Sequence, residues 1–144
     1  MNISIPNSYI TQQKTNTRIN TSSIYLKPIF VFDKKIKELI YNKCNEQQKM
    51  MFFEVESNLI QEINRRDIDV EKFKQRINVV IDESEAILIT IDSEKTRFYI
   101  SIEKNINESF FGFINNAKDG EMVNKTSSIN LETISKIIKE NLQI

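Results

Sequence analysis

Five carboxylates crowd two short polar breaks in one part of this chain: Asp82, Glu83 and Glu85 at the first, Asp92 and Glu94, with Lys95 beside them, at the second. Hard divalent cations take oxygen ligands, so a strand carboxylate followed by E-x-K on the next strand is one way a Mg²⁺-dependent nuclease holds its ion. The order is not reproduced here. "DSEK" falls in a turn, and "IEKN" sets the lysine directly after the glutamate. Carboxylates at hairpin turns are ordinarily just solvated, and that reading is adopted for these five. A divergent metal-dependent nuclease is the alternative.

Other chemistries lack their residues. The chain has no histidine, which removes Ser-His-Asp and Cys-His catalysis and histidine-ligated metals together. Cys44 is the single cysteine, so no disulfide forms within the chain and no cysteine zinc cluster can be built. It falls in the apolar phase of a helical pattern, where a thiol is ordinarily buried. Gly112 and Gly120 are the only glycines. Phosphate-cradling loops need several, because side chains block the approach of backbone to phosphate. No catalytic residue, metal or cofactor is expected.

Lysine plus arginine total 20 and aspartate plus glutamate total 20, for a formal net charge of zero. A non-specific nucleic-acid binder needs a basic excess to displace counterions, so nucleic acid is not the expected partner. The densest basic cluster, Arg65, Arg66, Lys72, Lys74 and Arg76, is interrupted by Asp67, Asp69 and Glu71. Phe98 and Tyr99 are the residue types that RNA-binding sheets use for stacking, but neighbours on a strand point to opposite faces. The start "MNISIPNSYITQQ" has no basic segment leading into an apolar one. No apolar run approaches the roughly 20 residues that span a bilayer, so no membrane role and a cytoplasmic location are expected. The heavy use of isoleucine, asparagine and lysine suggests an AT-rich bacterial, phage or plasmid genome.

The elements that must position these residues are legible as changes of period. Residues 1–23, polar and rich in Asn, Thr and Ser, have no period and read as an arm, flexible or ordered by a partner; 24–144 read as a single domain. "SSIYLKPIFVFD" is apolar on both faces and broken by Pro28, which suits an edge strand or an extended segment. Asp33 is a candidate N-cap for a helix whose stripe is Ile36, Leu39, Ile40 and Cys44. Asn45 and Gln48 form a capping box for a second helix that buries Phe52, Val55, Leu59, Ile60 and Ile63. A short turn of helix is expected after Asp69.

From residue 77 the period drops to two, with strands expected at about 77–82, 85–92, 95–103, 108–114 and 120–126. Their short joins permit only antiparallel neighbours. Gly112 inside "FFGFI" reads as a bulge or a close contact, and Gly120 as a turn residue. Asn130 is a candidate N-cap for a closing helix with the stripe Leu131, Ile134, Ile137, Ile138 and Leu142. The expected fold is α+β: an N-terminal arm and two helices, an antiparallel meander of about four to five strands, and a C-terminal helix packed on the sheet.

In the strand 95–103, Thr96, Phe98, Ile100 and Ile102 face one way, and Arg97, Tyr99, Ser101 and Glu103 the other. Such alternation suits a sheet with one wet side. Tyrosine and arginine are enriched in interface hot spots, which makes Arg97, Tyr99, Ser101 and Glu103 the candidate partner-binding set. The functional expectation is a small non-catalytic protein that binds another macromolecule, a protein, in the manner of an inhibitor, immunity protein, antitoxin or adaptor. A nucleic-acid-binding regulatory subunit and a structural subunit acting as a homodimer are the other readings.

Overall fold

The period-two half of the chain forms one antiparallel sheet in the order β1-β2-β3-β4-β5, with strands β1 (Ile77–Ile81), β2 (Ile87–Asp92), β3 (Thr96–Ile102), β4 (Phe110–Asn116) and β5 (Met122–Ser128). The computed structural model describes residues 31–116 and 122–143, with side chains from 31 to 114 and from 126 to 143. The arm 1–23, most of the segment around Pro28, and the turn at Gly120 lie outside the described residues. The meander is as the short joins require, and strand ends shift by only about two residues from the expected ones.

Among the described residues four α-helices accompany the sheet: α1 (Lys34–Lys43), α2 (Glu46–Arg65), α3 (Val70–Lys74) and α4 (Ile134–Asn141). Three start at the caps read from sequence. Asp33 accepts from the Ile36 N–H at 2.9 Å. Asn45 accepts from the Gln48 N–H at 2.9 Å, and the Gln48 side chain accepts from the Asn45 N–H at 3.1 Å, closing the capping box. Asp69 accepts from the N–H groups of Glu71 and Lys72. The fourth differs. Asn130 does cap, accepting from the N–H groups of Glu132 and Thr133, but it closes a turn, and the helix begins only at Ile134. Leu131 therefore falls off the stripe and stays 41% exposed, as Leu39 does at 39%.

Register shows which strand residues share a face. Val79, Ile89, Ile100 and Phe111 lie side by side across four strands, and Ile77, Ile91, Phe98 and Phe113 form the neighbouring row. These rows meet Phe52, Val55, Leu59, Ile63, Phe73, Ile134 and Ile138 in a single core, with Ile89, Ile100, Val55 and Leu59 at zero exposure. α4 packs beside α2 and closes the core over the sheet. The opposite face carries Val80, Leu88, Tyr99, Phe110 and Ile114, none of which joins that core. No helix among the described residues is long and apolar enough to cross a membrane.

Three buried polar residues tie α2 to its surroundings. Gln48, 1% exposed, donates to the carbonyls of Glu85 and Ile102 at 2.8 and 3.3 Å, holding the β1–β2 turn and the end of β3. Glu56, 6% exposed, accepts from the Phe32 N–H at 3.0 Å and pairs with Lys37 at 2.9 Å. Glu62 accepts from Arg65 and Arg66, and Arg66 reaches on to the carbonyls of Leu142 and Lys139 at 2.6 and 3.0 Å, capping the end of α4. Buried polar groups are costly unless satisfied in this way, so each contact fixes a position as well as adding stability.

Candidate functional site

Three of the five carboxylates that could have shared a metal are engaged separately. Asp82 accepts from the Ser84 hydroxyl at 2.6 Å and from the N–H groups of Ser84 and Ala86 at 2.9 Å, which builds the β1–β2 turn. The Ser84 hydroxyl bond, more than any other contact, holds its carboxyl below the usual range. Glu85, with φ 65°, pairs with Lys104 at 2.7 Å. Asp92 takes both hydrogen bonds of a bidentate Arg97, at 2.6 and 3.0 Å. Asp82, opposite Ala86, and Asp92 stand at opposite ends of the β1–β2 pair, roughly 20 Å apart at 3.3 Å per residue. Among the described residues no three His, Cys, Asp or Glu side chains gather where an ion could sit.

The Arg97, Tyr99, Ser101 and Glu103 set is not the wet face its alternation suggests. Tyr99 is 9% exposed and Ser101 5%. Tyr99 sits opposite Gly112 on β4, and the ring of Phe110 stands edge-on to it at 6.2 Å. Register runs unbroken through Gly112 from Tyr99 to Thr126, so the glycine makes no bulge; it is the flat position beside a large ring. The Ser101 hydroxyl donates to the Glu103 carboxylate, and Glu103 N–H donates to the buried hydroxyl of Ser109. Only Arg97 remains exposed, and Asp92 already holds it. Three of the five residues of the basic cluster are likewise engaged: Arg65 and Arg66 on Glu62, Lys74 on Glu71. Cys44 is buried, and burial pushes its thiol pKa up, away from a reactive thiolate.

A different surface keeps its side chains in solvent. Helices α1 and α2 meet through the short link at Cys44 and Asn45, and between them runs a groove of about 280 Å³. Ile40 and Phe52 line its buried side; Tyr41, 68% exposed, and Phe53, 59% exposed, stand at its mouth. Met50, one turn before Phe53 on α2, is 54% exposed. Lys34, Lys37 and Lys49 rim the groove with Glu38, and the Lys49 ammonium lies 4.3 Å from the centre of the Tyr41 ring. Lys37 and Lys49 are balanced by Glu56 and Glu46, so the rim is mixed rather than strongly basic. The arrangement can seat a bulky apolar side chain from outside, with polar groups around it.

Tyr41, Met50 and Phe53 were not singled out from sequence. Their signal was there in negative form: they are large apolar residues that fall off the buried stripes of α1 and α2. No protein-family model matches this chain, and no curated protein or solved structure matches it either.

Proposed function

We propose that this chain is a non-catalytic protein-binding module, acting in the cytoplasm, that grips another protein through the α1–α2 surface. The observation that carries this reading is the exposure of Tyr41 and Phe53 at one groove with an apolar floor, with Met50 also exposed one turn away on α2. Single exposed apolar residues are ordinary, but several gathered at a groove mark an interaction site. Aromatic side chains are the usual anchors of such sites, because each buries a large area for few rotatable bonds. Inhibitors, immunity proteins, antitoxins and adaptors act in this way, by occupying or bridging a surface rather than by turning over a substrate. The separate engagement of Asp82, Glu85 and Asp92 supports this reading over a nuclease.

The test is quantitative capture of partners, from the cells that make it, by the full-length protein and by Phe53→Glu, Tyr41→Ala and Arg97→Ala forms. The expected result is one retained protein, reduced more than tenfold by Phe53→Glu and Tyr41→Ala and unchanged by Arg97→Ala. Loss with Arg97→Ala alone would move the site to β3. A Mg²⁺-dependent rise in melting temperature with cleavage of nucleic acid would favour the nuclease.

A further inference from the structure

We infer that two copies of this chain pair through the outer edge of β1, antiparallel, with Val79 on the two-fold axis. This goes beyond the α1–α2 reading and does not depend on it. Among the described residues β1 is an edge strand, hydrogen-bonded only on its β2 side. Two bonds fix which way its backbone faces. Asp82 N–H donates to the Ala86 carbonyl at 3.0 Å, and Asp92 N–H donates to the Arg76 carbonyl at 2.9 Å. Both fit the β1–β2 register, in which such pairs alternate. Asn78 and Val80 therefore turn their backbone groups toward β2, with the Arg76 carbonyl and the Asp82 N–H completing the ladder at its two ends. Ile77, Val79 and Ile81 turn theirs outward, offering six main-chain donors and acceptors along the edge. No hydrogen bond to them on that side is made among the described residues.

Sheet edges are normally guarded by charge, proline or a bulge. "INVVI" has none of these, and its register is unbroken. The core also stops short here: Ile77, Val79 and Ile81 are only partly buried, while their β2 partners Ile91, Ile89 and Ile87 are at 2, 0 and 0%. A groove of about 530 Å³, lined by Val31, Phe32 and Ile36 on one side and by Ile77 and Val79 on the other, leaves room beside the strand.

What selects a second copy as occupant is the self-complementarity of residues 76–82, Arg-Ile-Asn-Val-Val-Ile-Asp. Run antiparallel against itself about Val79, it sets Ile77 against the partner's Ile81 and Val79 against the partner's Val79. Those are the residues with outward backbone groups, so about six main-chain bonds form, two for each close pair. The same register brings Arg76 near the partner's Asp82 at both ends, where β1 meets its flanking turns. Opposite charges directly across a strand pair stabilise it, whereas a shift of two residues removes the match. A formal net charge of zero leaves little long-range repulsion between copies.

The test uses sedimentation equilibrium on the full chain and crosslinking of Val79→Cys with oxidised glutathione. Facing Cα atoms in a close antiparallel pair lie about 5.5 Å apart, within disulfide reach, and native Cys44 is buried. The expected result is a species of twice 17.0 kDa, a covalent dimer from Val79→Cys but not from Val80→Cys, and pairing weakened more than tenfold in Arg76→Glu. Val79→Pro should abolish pairing while circular dichroism stays native, because it removes only an outward-facing N–H. A single-copy mass across a micromolar-to-millimolar series overturns the inference. So does a dimer that survives both Val79→Pro and Arg76→Glu, or one dispersed instead by Phe53→Glu, which would place the second copy on α1–α2.

Discussion

Tyr41 and Tyr99 are each an aromatic ring beside a cation, yet they have opposite fates. Tyr99 lies on a central strand, 9% exposed, with Phe110 against its ring and Arg97, two residues before it, taken up by Asp92. Tyr41 lies near the end of a helix, 68% exposed, with only the Lys49 ammonium over its ring. The contrast teaches that residue type and alternation do not by themselves make a contact surface. A ring between strands has neighbours on both sides at under 5 Å spacing, whereas a ring on the outer side of a helix has none. The first serves the fold, and the second is available to a partner.

The largest effects should therefore come from β3. Ile100→Ala removes a fully buried side chain at the centre of the core and should cost about 2–5 kcal/mol in urea unfolding. Tyr99→Ala should cost about 3 kcal/mol although it lies on the other face, because its ring is also packed. A cost under about 0.5 kcal/mol at Tyr99 would mean its face is open, and would restore the β3 set as the contact surface.

Next in size is the inward side of α2. Gln48→Ala leaves the carbonyls of Glu85 and Ile102 and the Asn45 N–H without their partner, and should lower stability by about 1–3 kcal/mol. Hydrogen exchange at the β1–β2 turn should quicken with it, since Gln48 alone ties that turn to α2 among the described residues. Unchanged exchange there would show that the turn is held by its own Asp82 contacts.

On the outward side of α2 and α1 the balance reverses. Phe53→Ala and Tyr41→Ala should each change stability by less than about 0.5 kcal/mol. Each should nevertheless weaken partner binding more than tenfold, which is about 1.4 kcal/mol. A melting-temperature loss as large as that of Gln48→Ala would show these rings to be structural, and the contrast with Tyr99 would collapse.

The fold was legible because its signals are local. Asp33, Asn45 with Gln48, and Asp69 act within three residues of themselves, and the change of period at residue 77 needs no distant information. Tyr99 was misread because alternation assigns a face but not what stands beside it. Its burial depends on β4 placing Gly112 opposite and Phe110 diagonally, a register more than ten residues away. The α1–α2 groove is non-local for the same reason: Tyr41 and Phe53 come together only through the way two helices pack. Leu131 was lost to the turn that Asn130 closes before α4, a one-turn difference that either cap position would satisfy.

The smallest effect belongs to the pair that most resembles a site on paper. Arg97 hydrogen-bonds Asp92 through two nitrogens, and that bond holds the Asp92 carboxyl below its ordinary range. A carboxylate with a depressed folded pKa adds stability above its unfolded value and loses it as pH falls through the folded one. The contribution of the pair should thus be complete above about pH 4 and fade as the solution is made more acidic. Both side chains are about half exposed, at 52% and 47%, so solvent screens them and the whole effect should stay below about 1 kcal/mol. Asp92→Asn should be slightly less stable than the natural protein near neutrality and equal to it in strong acid. If Arg97 were instead kept for a partner, Asp92→Asn would release its guanidinium and tighten binding; unchanged affinity leaves Arg97 to the sheet and the contact to Tyr41 and Phe53.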